Sequence, residues 1–148
     1  MHLMTVERLP VDDRILNILL VEDDEVDVRS VQRAFKKGNI TNPVHVAGNG
    51  IEALAMLRGQ TLPQNRRIVL LDINMPKMNG IEFLREVRKD PALAPLSVVV
   101  LTTSNEDRDR MEAYRLNVAG YLLKPVTFND FVNVMSTLNK YWTLMELP

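Results

Sequence analysis

The chain has 148 residues, 46% of them apolar and 25% charged, with a formal net charge of −1. That length is about one domain, able to bury roughly 68–70% of its unfolded surface, with the balance of an ordinary soluble globular protein. Near-neutral charge argues against a duplex-binding face, and the lack of cysteine excludes disulfides, thiolate nucleophiles and zinc–sulfur sites. The basic pairs Lys36-Lys37 and Arg66-Arg67 read as solvation of a helix end and a loop. Met1 to Pro10 lacks the apolar stretch of a signal peptide, and no run reaches the roughly eighteen apolar residues of a membrane span. A cytoplasmic protein is expected, with neither nucleic acid nor membrane as partner.

Residues 1–14 form a mixed arm. Its acidic pair, Asp12-Asp13, precedes the first strand and so falls at the wrong end of a sheet to join a site. Ile15 to Val21 reads as strand one. Val28, Val31, Ala34 and Phe35 make a helical stripe over Glu25 to Lys37, ended by Gly38. Val44 to Ala47 is a short second strand, followed by a helix marked by Ile51, Leu54, Ala55 and Arg58. Ile68 to Leu71 is strand three. Ile81, Leu84, Val87 and Arg88 carry the third helix to the Asp90-Pro91 break. Ser97 to Leu101 is strand four, Asn105 to Leu116 a polar helix, and Ala119 to Leu123 strand five. Phe128 to about Leu144 is the last helix. Five strand–helix units with short connections imply a parallel sheet covered by helices on both faces. Strand two is short and interrupted by His45, which suits an edge; strands one, three and four suit the centre. The fold class expected is α/β, a flavodoxin-like doubly wound five-stranded sheet of order 2-1-3-4-5, with its crevice outside the carboxyl ends of strands one and three.

The residues that end those strands carry chemistry. Glu22 and Asp23 follow strand one, Asp72 strand three, Thr102 strand four and Lys124 strand five. Three carboxylates crowded in one crevice repel one another, and a divalent cation reverses this by favouring the ionised forms. Hard oxygen ligands point to Mg²⁺, or Mn²⁺ in its place. The plainer reading is an acidic cluster that only caps the helix beginning near Glu25, but it leaves Thr102 and Lys124 unexplained. Asp72 is then the candidate nucleophile for an acyl phosphate, Lys124 the cation for a phosphoryl oxygen, and Thr102 a hydroxyl placed to bond the same group.

Four segments carry a family resemblance: Ile18 to Asp24, Leu71 to Gly80, Val99 to Thr102, and Gly120 to Pro125. Together they resemble a response-regulator receiver domain over about Ile15 to Lys140. The resemblance implies that Asp72 accepts a phosphoryl group from the phosphohistidine of a sensor histidine kinase. It also implies that Asp23, Asp72 and the main-chain carbonyl of Asn74 bind Mg²⁺, with Glu22 reaching the metal through water. Thr102 and Tyr121 would form the switch, Thr102 moving toward the phosphoryl group and Tyr121 rotating inward behind it, so reshaping the helix-four, strand-five, helix-five face. The run Leu101 to Ser104 and the ending Lys140-Tyr141-Trp142 resemble short receivers paired with phytochrome-type kinases, which makes a bacteriophytochrome an expected partner. Thr103 stands where such proteins commonly carry a small residue. Receivers also resemble one another in a cis proline after the lysine, which predicts a cis Lys124–Pro125 bond.

The domain expected is therefore 15–140, with residues 141–148 extending the last helix and no output domain. An aspartate-nucleophile phosphohydrolase is the alternative, but such enzymes carry their nucleophile in an Asp-x-Asp pair after the first strand; here Asp72-Ile73-Asn74 follows the third. A flavodoxin-type cofactor binder would need a Ser/Thr/Gly-rich phosphate loop after strand one, and none is there. A chain without an output domain signals through its own surface. In the last helix Phe131, Met135, Leu138 and Trp142 suit the sheet side, while Val132, Tyr141 and Met145 lie off that stripe. Tyr141 and Trp142 stand where the sheet no longer covers both, so Val132, Tyr141, Trp142 and Met145 are the expected interface of a homodimer.

Overall fold

Largely apolar segments of four to six residues become strands β1 (Asn17–Val21), β2 (Val44–Ala47), β3 (Arg67–Leu71), β4 (Ser97–Thr102) and β5 (Gly120–Leu123). They pair in parallel in the order β2-β1-β3-β4-β5, the doubly wound order that the sequence implies. Helices α1 (Glu25–Lys37), α2 (Gly50–Arg58), α3 (Gly80–Lys89), α4 (Asp107–Arg115) and α5 (Phe128–Thr143) connect and flank them. The structure is a computed structural model that describes residues 15–124 and 127–144.

Successive residues along a strand face opposite sides of the sheet, so the apolar runs feed two cores. Leu19, Val21, Val69, Leu71, Val98 and Val100 pack with α2, α3 and α4 through Leu54, Leu57, Phe83, Leu84, Val87 and Ala113. Ile18, Leu20, Ile68, Leu70, Val99 and Leu101 pack with α1 and α5 through Val31, Phe35, Phe131, Met135, Leu138 and Trp142.

Helix starts follow local chemistry. Asp24 Oδ1 accepts the Val26 N–H at 2.8 Å, Asn49 Oδ1 accepts that of Glu52 at 2.9 Å, and Thr127 Oγ1 accepts that of Asp130 at 3.2 Å. Asn79 and Glu82 form a reciprocal capping box at α3. The polar fourth helix is shorter than the sequence suggests, running from Asp107 to Arg115. It buries Ala113 and leaves Met111 and Tyr114 more than half exposed.

Three sequence readings are corrected. Arg67 is no loop residue; it opens β3, is buried, and donates from its guanidinium to the Leu57 carbonyl at 3.1 Å. Trp142 is not an interface residue. It is fully buried, edge-on to Phe35 of α1 with ring centroids 6.2 Å apart, and its indole N–H donates to Asn139 Oδ1 at 2.9 Å. The stripe of α5 continues under α1 beyond the sheet, which is why the end of the helix stays covered. Val132 is half-buried and packs on the same core, so it too contributes little free surface.

Arg88, at the end of α3, ties loops together. Its guanidinium donates to the carbonyls of Leu116 and Asn117, just beyond α4, and of Ala94 and Leu96 before β4, at 2.7 to 3.0 Å.

Candidate phosphoryl and metal site

Strand register brings the chemical groups together. Val21 pairs with Leu71, so Glu22 and Asp72 leave the sheet side by side, and the Asp72 N–H donates to the Val21 carbonyl at 3.0 Å. Thr102 pairs with Leu123, and the Lys124 N–H donates to the Thr102 carbonyl at 2.9 Å. Gly80 lets α3 begin directly against this edge. A Cβ there would stand 2.5 Å from the Asp72 carbonyl oxygen and 2.7 Å from Ile73 Cα, closer than any side chain allows.

Glu22 and Asp72 are buried and Asp23 is exposed, yet the three bring carboxylate oxygens within 4.8 Å of one another. Asn74, exposed, donates its N–H to Asp72 Oδ1 at 3.4 Å. The cap of α1 is Asp24, so capping does not account for Glu22 and Asp23 converging on Asp72. A set of hard oxygen donors at this spacing fits a divalent cation.

Lys124 Nζ lies 2.5 Å from Glu22 Oε1, 2.8 Å from Asp27 Oδ2 and 3.9 Å from Asp72 Oδ2. Burial pushes the Glu22 carboxyl up to about 7, with Asp72 adding repulsion and the Lys124 hydrogen bond working against both. Burial alone would lower the Lys124 ammonium. Its hydrogen bonds to Asp27 and Glu22 outweigh that and hold it above the ordinary lysine value, so it stays charged at neutral pH.

Thr102 is fully buried, and its Oγ1 accepts the Ser104 N–H at 3.2 Å. Ser104 joins three elements: its hydroxyl donates to Asp109 of α4 at 2.6 Å and its carbonyl accepts the Tyr121 hydroxyl at 3.0 Å. Burial raises the Tyr121 phenol, which keeps it protonated as a donor. Tyr121 thus already lies against the segment that follows Thr102, with the Arg110 guanidinium 5.9 Å from its ring centroid.

The structure therefore gathers Glu22, Asp23, Asp72, Asn74 and Lys124 at one edge, with Thr102 and Tyr121 linked through Ser104. Sequence reading missed Asp27, Ser104 and Asp109. Asp27, one turn after the cap of α1, had only its place in an acid-rich first turn as a signal. The Lys124–Pro125 bond and Met145 lie outside the described residues. Of the expected interface, Tyr141 is 51% exposed and lines an apolar groove of about 380 Å³ with Leu122, Asn133, Val134, Thr137 and Leu138. Leu144, which follows α5, is 87% exposed. Among the described residues no helix is long and apolar enough to cross a membrane.

The family model described as Response regulator receiver domain matches residues 18–136. A probable methanogenesis regulatory protein, FilR2 of Methanothrix harundinacea, is 38% identical over 130 residues, covering 84% of this chain and 82% of its own. Response regulator Rcp1 of Synechocystis sp. is 36% identical over 128 residues, covering 84% and 87%. The Mn²⁺-bound form of Rcp1 superposes with a TM-score of 0.79 at 35% identity, covering 90% of this chain and 99% of that one. The phosphorylated cyanobacterial phytochrome response regulator RcpA gives 0.79 at 33% identity, covering 90% and 98%.

Proposed function

This chain belongs to the response regulator receiver family, and we propose that it takes a phosphoryl group from the phosphohistidine of a sensor histidine kinase onto Asp72. It is a response regulator of two-component signalling; the acceptor, the metal and the partner are the proposal. The observation that carries it is the buried Asp72 carboxylate at the end of β3, with Glu22 and Asp23 within 4.8 Å and the Lys124 ammonium 3.9 Å away.

In the transfer, an Asp72 carboxylate oxygen attacks phosphorus, the P–O bond forms, and the P–N bond breaks with its electron pair returning to the kinase imidazole. Asp72 is suited to this as a carboxylate whose Oδ1 accepts the Asn74 N–H. Lys124 meets the charge of one phosphoryl oxygen and the Thr102 hydroxyl bonds another. Asp23, Asp72 and the Asn74 carbonyl would hold Mg²⁺, with Glu22 acting through water; the bound cation offsets the charge on the phosphoryl oxygens. The chain turns over no external substrate and modifies only itself. The functional unit runs from residue 15 to the end of α5 at Thr143, three residues beyond the expected 140, because the buried Trp142 belongs to its core. Treatment with a small phosphoramidate donor and Mg²⁺ should place one phosphoryl group on Asp72, read by peptide mass spectrometry after trapping the acyl phosphate with a hydride.

Protons and cation compete at Glu22. Its carboxyl is raised from 4.5 to about 7, so without a cation the neutral form is favoured below about pH 7. The stability this group contributes is full below pH 4.5 and is lost as pH rises through about 7. Mg²⁺ affinity should therefore fall by up to about tenfold per pH unit below pH 7 and level off above it. Titration calorimetry checks this; the Glu22→Gln variant should lose most of the dependence.

The sensor kinase, a phytochrome-type light sensor on the likeness to RcpA, is the upstream partner in this reading. The signalling surface is the groove of α5 and β5, used by a second copy in a C2 pair centred on Tyr141. Sedimentation across the micromolar range should show wild type as a dimer and Tyr141→Ala shifted toward monomer. A monomeric wild type throughout removes the dimer from the proposal.

A further inference from the structure

We propose that Asp27 is a positioning residue for Lys124, a carboxylate on α1 that holds the ammonium and competes with the phosphoryl group for it. This rests on the reading of Asp72 as phosphoacceptor. Lys124 Nζ is within hydrogen-bond distance of Glu22 and Asp27 but stands 3.9 Å from Asp72, too far for a hydrogen bond. An ammonium has three donors, and two are engaged away from the nucleophile.

The two anchors differ. Glu22 sits at the strand end with its side chain 3% exposed, so leaving it unpaired is costly. Asp27 is on the first turn of α1 and 37% exposed, so water takes the place of the ammonium readily. Asp27 is therefore the anchor that gives way. A cavity of about 310 Å³ beside the pair, lined by Asp27, Ser30, Lys124 and Thr127 among others, gives water room to replace the ammonium at Asp27. A phosphoryl oxygen on Asp72 would draw Lys124 across, break its bond to Asp27 and keep the one to Glu22. Asp27 then acts as a brake on the gain of phosphoryl charge at Asp72.

An acid in the first turn of a helix is also stabilising through the helix dipole, so the test must separate the two roles. The full chain and its Asp27→Asn and Asp27→Glu variants are phosphorylated by a small phosphoramidate donor in saturating Mg²⁺. Asn should raise the rate about two- to fivefold, the range expected for losing one partly exposed ion pair, and Glu should restore it toward wild type. The second readout is the Nζ resonance of Lys124 in ¹⁵N-lysine protein without donor, assigned by its loss in Lys124→Met. It should shift in Asp27→Asn and stay near wild type in Asp27→Glu.

An unchanged or slower Asn variant overturns the proposal, as does an unmoved Lys124 resonance. A Glu variant as fast as Asn also overturns it, because the carboxylate would then be irrelevant. If wild type takes no phosphoryl group at all, the phosphoacceptor reading fails, and the resonance alone then decides whether Asp27 holds Lys124.

Discussion

Asp72→Asn should abolish phosphorylation by a kinase or a small phosphodonor and leave the fold intact. The amide is nearly the same size as the carboxylate but is neutral and a poor nucleophile, so no acyl phosphate forms. The fold has little reason to respond. Asp72 is buried beside Glu22, and removing its charge relieves repulsion in a crevice where Lys124 is bonded mainly to Glu22 and Asp27. The amide oxygen can still accept the Asn74 N–H. Thermal unfolding of the variant should therefore match or exceed wild type in the absence of cation. Chelation of divalent cations in wild type should have the same consequence for labelling through a different cause, since the phosphoryl charge then meets Glu22 and Asp23 with only the Lys124 ammonium to offset it. Intact labelling of the variant, or undiminished labelling of wild type in EDTA, would refute the assignment of Asp72.

Trp142→Ala should destabilise the protein by about 3–5 kcal/mol, the usual cost of truncating a buried aromatic to alanine. Trp142 is fully buried, meets Phe35 edge-on, and keeps its indole N–H satisfied by Asn139. Its removal opens a cavity between α1 and α5, helices that also carry Asp27 and the helix that follows Lys124. Tyr141→Ala, one residue away on the exposed side of α5, should change stability by no more than about 0.5 kcal/mol, as surface substitutions usually do. Denaturant unfolding of the two variants gives the contrast directly. Equal losses would mean that the end of α5 is not packed as described.

The three central strands were legible because a buried parallel strand must be apolar on both faces, and residues 18–21, 68–71 and 98–101 are each four such residues in a row, while the two edge strands are shorter. Those runs, with their order and short connections, determined the flavodoxin-like sheet. The chemistry at their ends was equally legible: Thr102 ends β4, and Glu22-Asp23, Asp72 and Lys124 follow β1, β3 and β5, so knowing the strands places the residues at one edge. What the sequence did not reveal depends on contacts between segments far apart in the chain. Asp27 meets Lys124 across 97 residues, because the first turn of α1 lies at the same sheet edge as the residue that follows β5. Ser104 became a junction only when Tyr121 and Asp109 folded onto it from separate elements. Arg67 looked like half of a solvated pair until the α2 carbonyl of Leu57 supplied a buried acceptor. Trp142 looked uncovered because the sheet ends beneath it, and only the packing of α1 against α5 closed that side. Local pattern determines which residues must be buried and where strands deliver their charges. Which partner each charge then finds is decided by helix placement, since an ion pair or a ring contact has no period for a sequence to display.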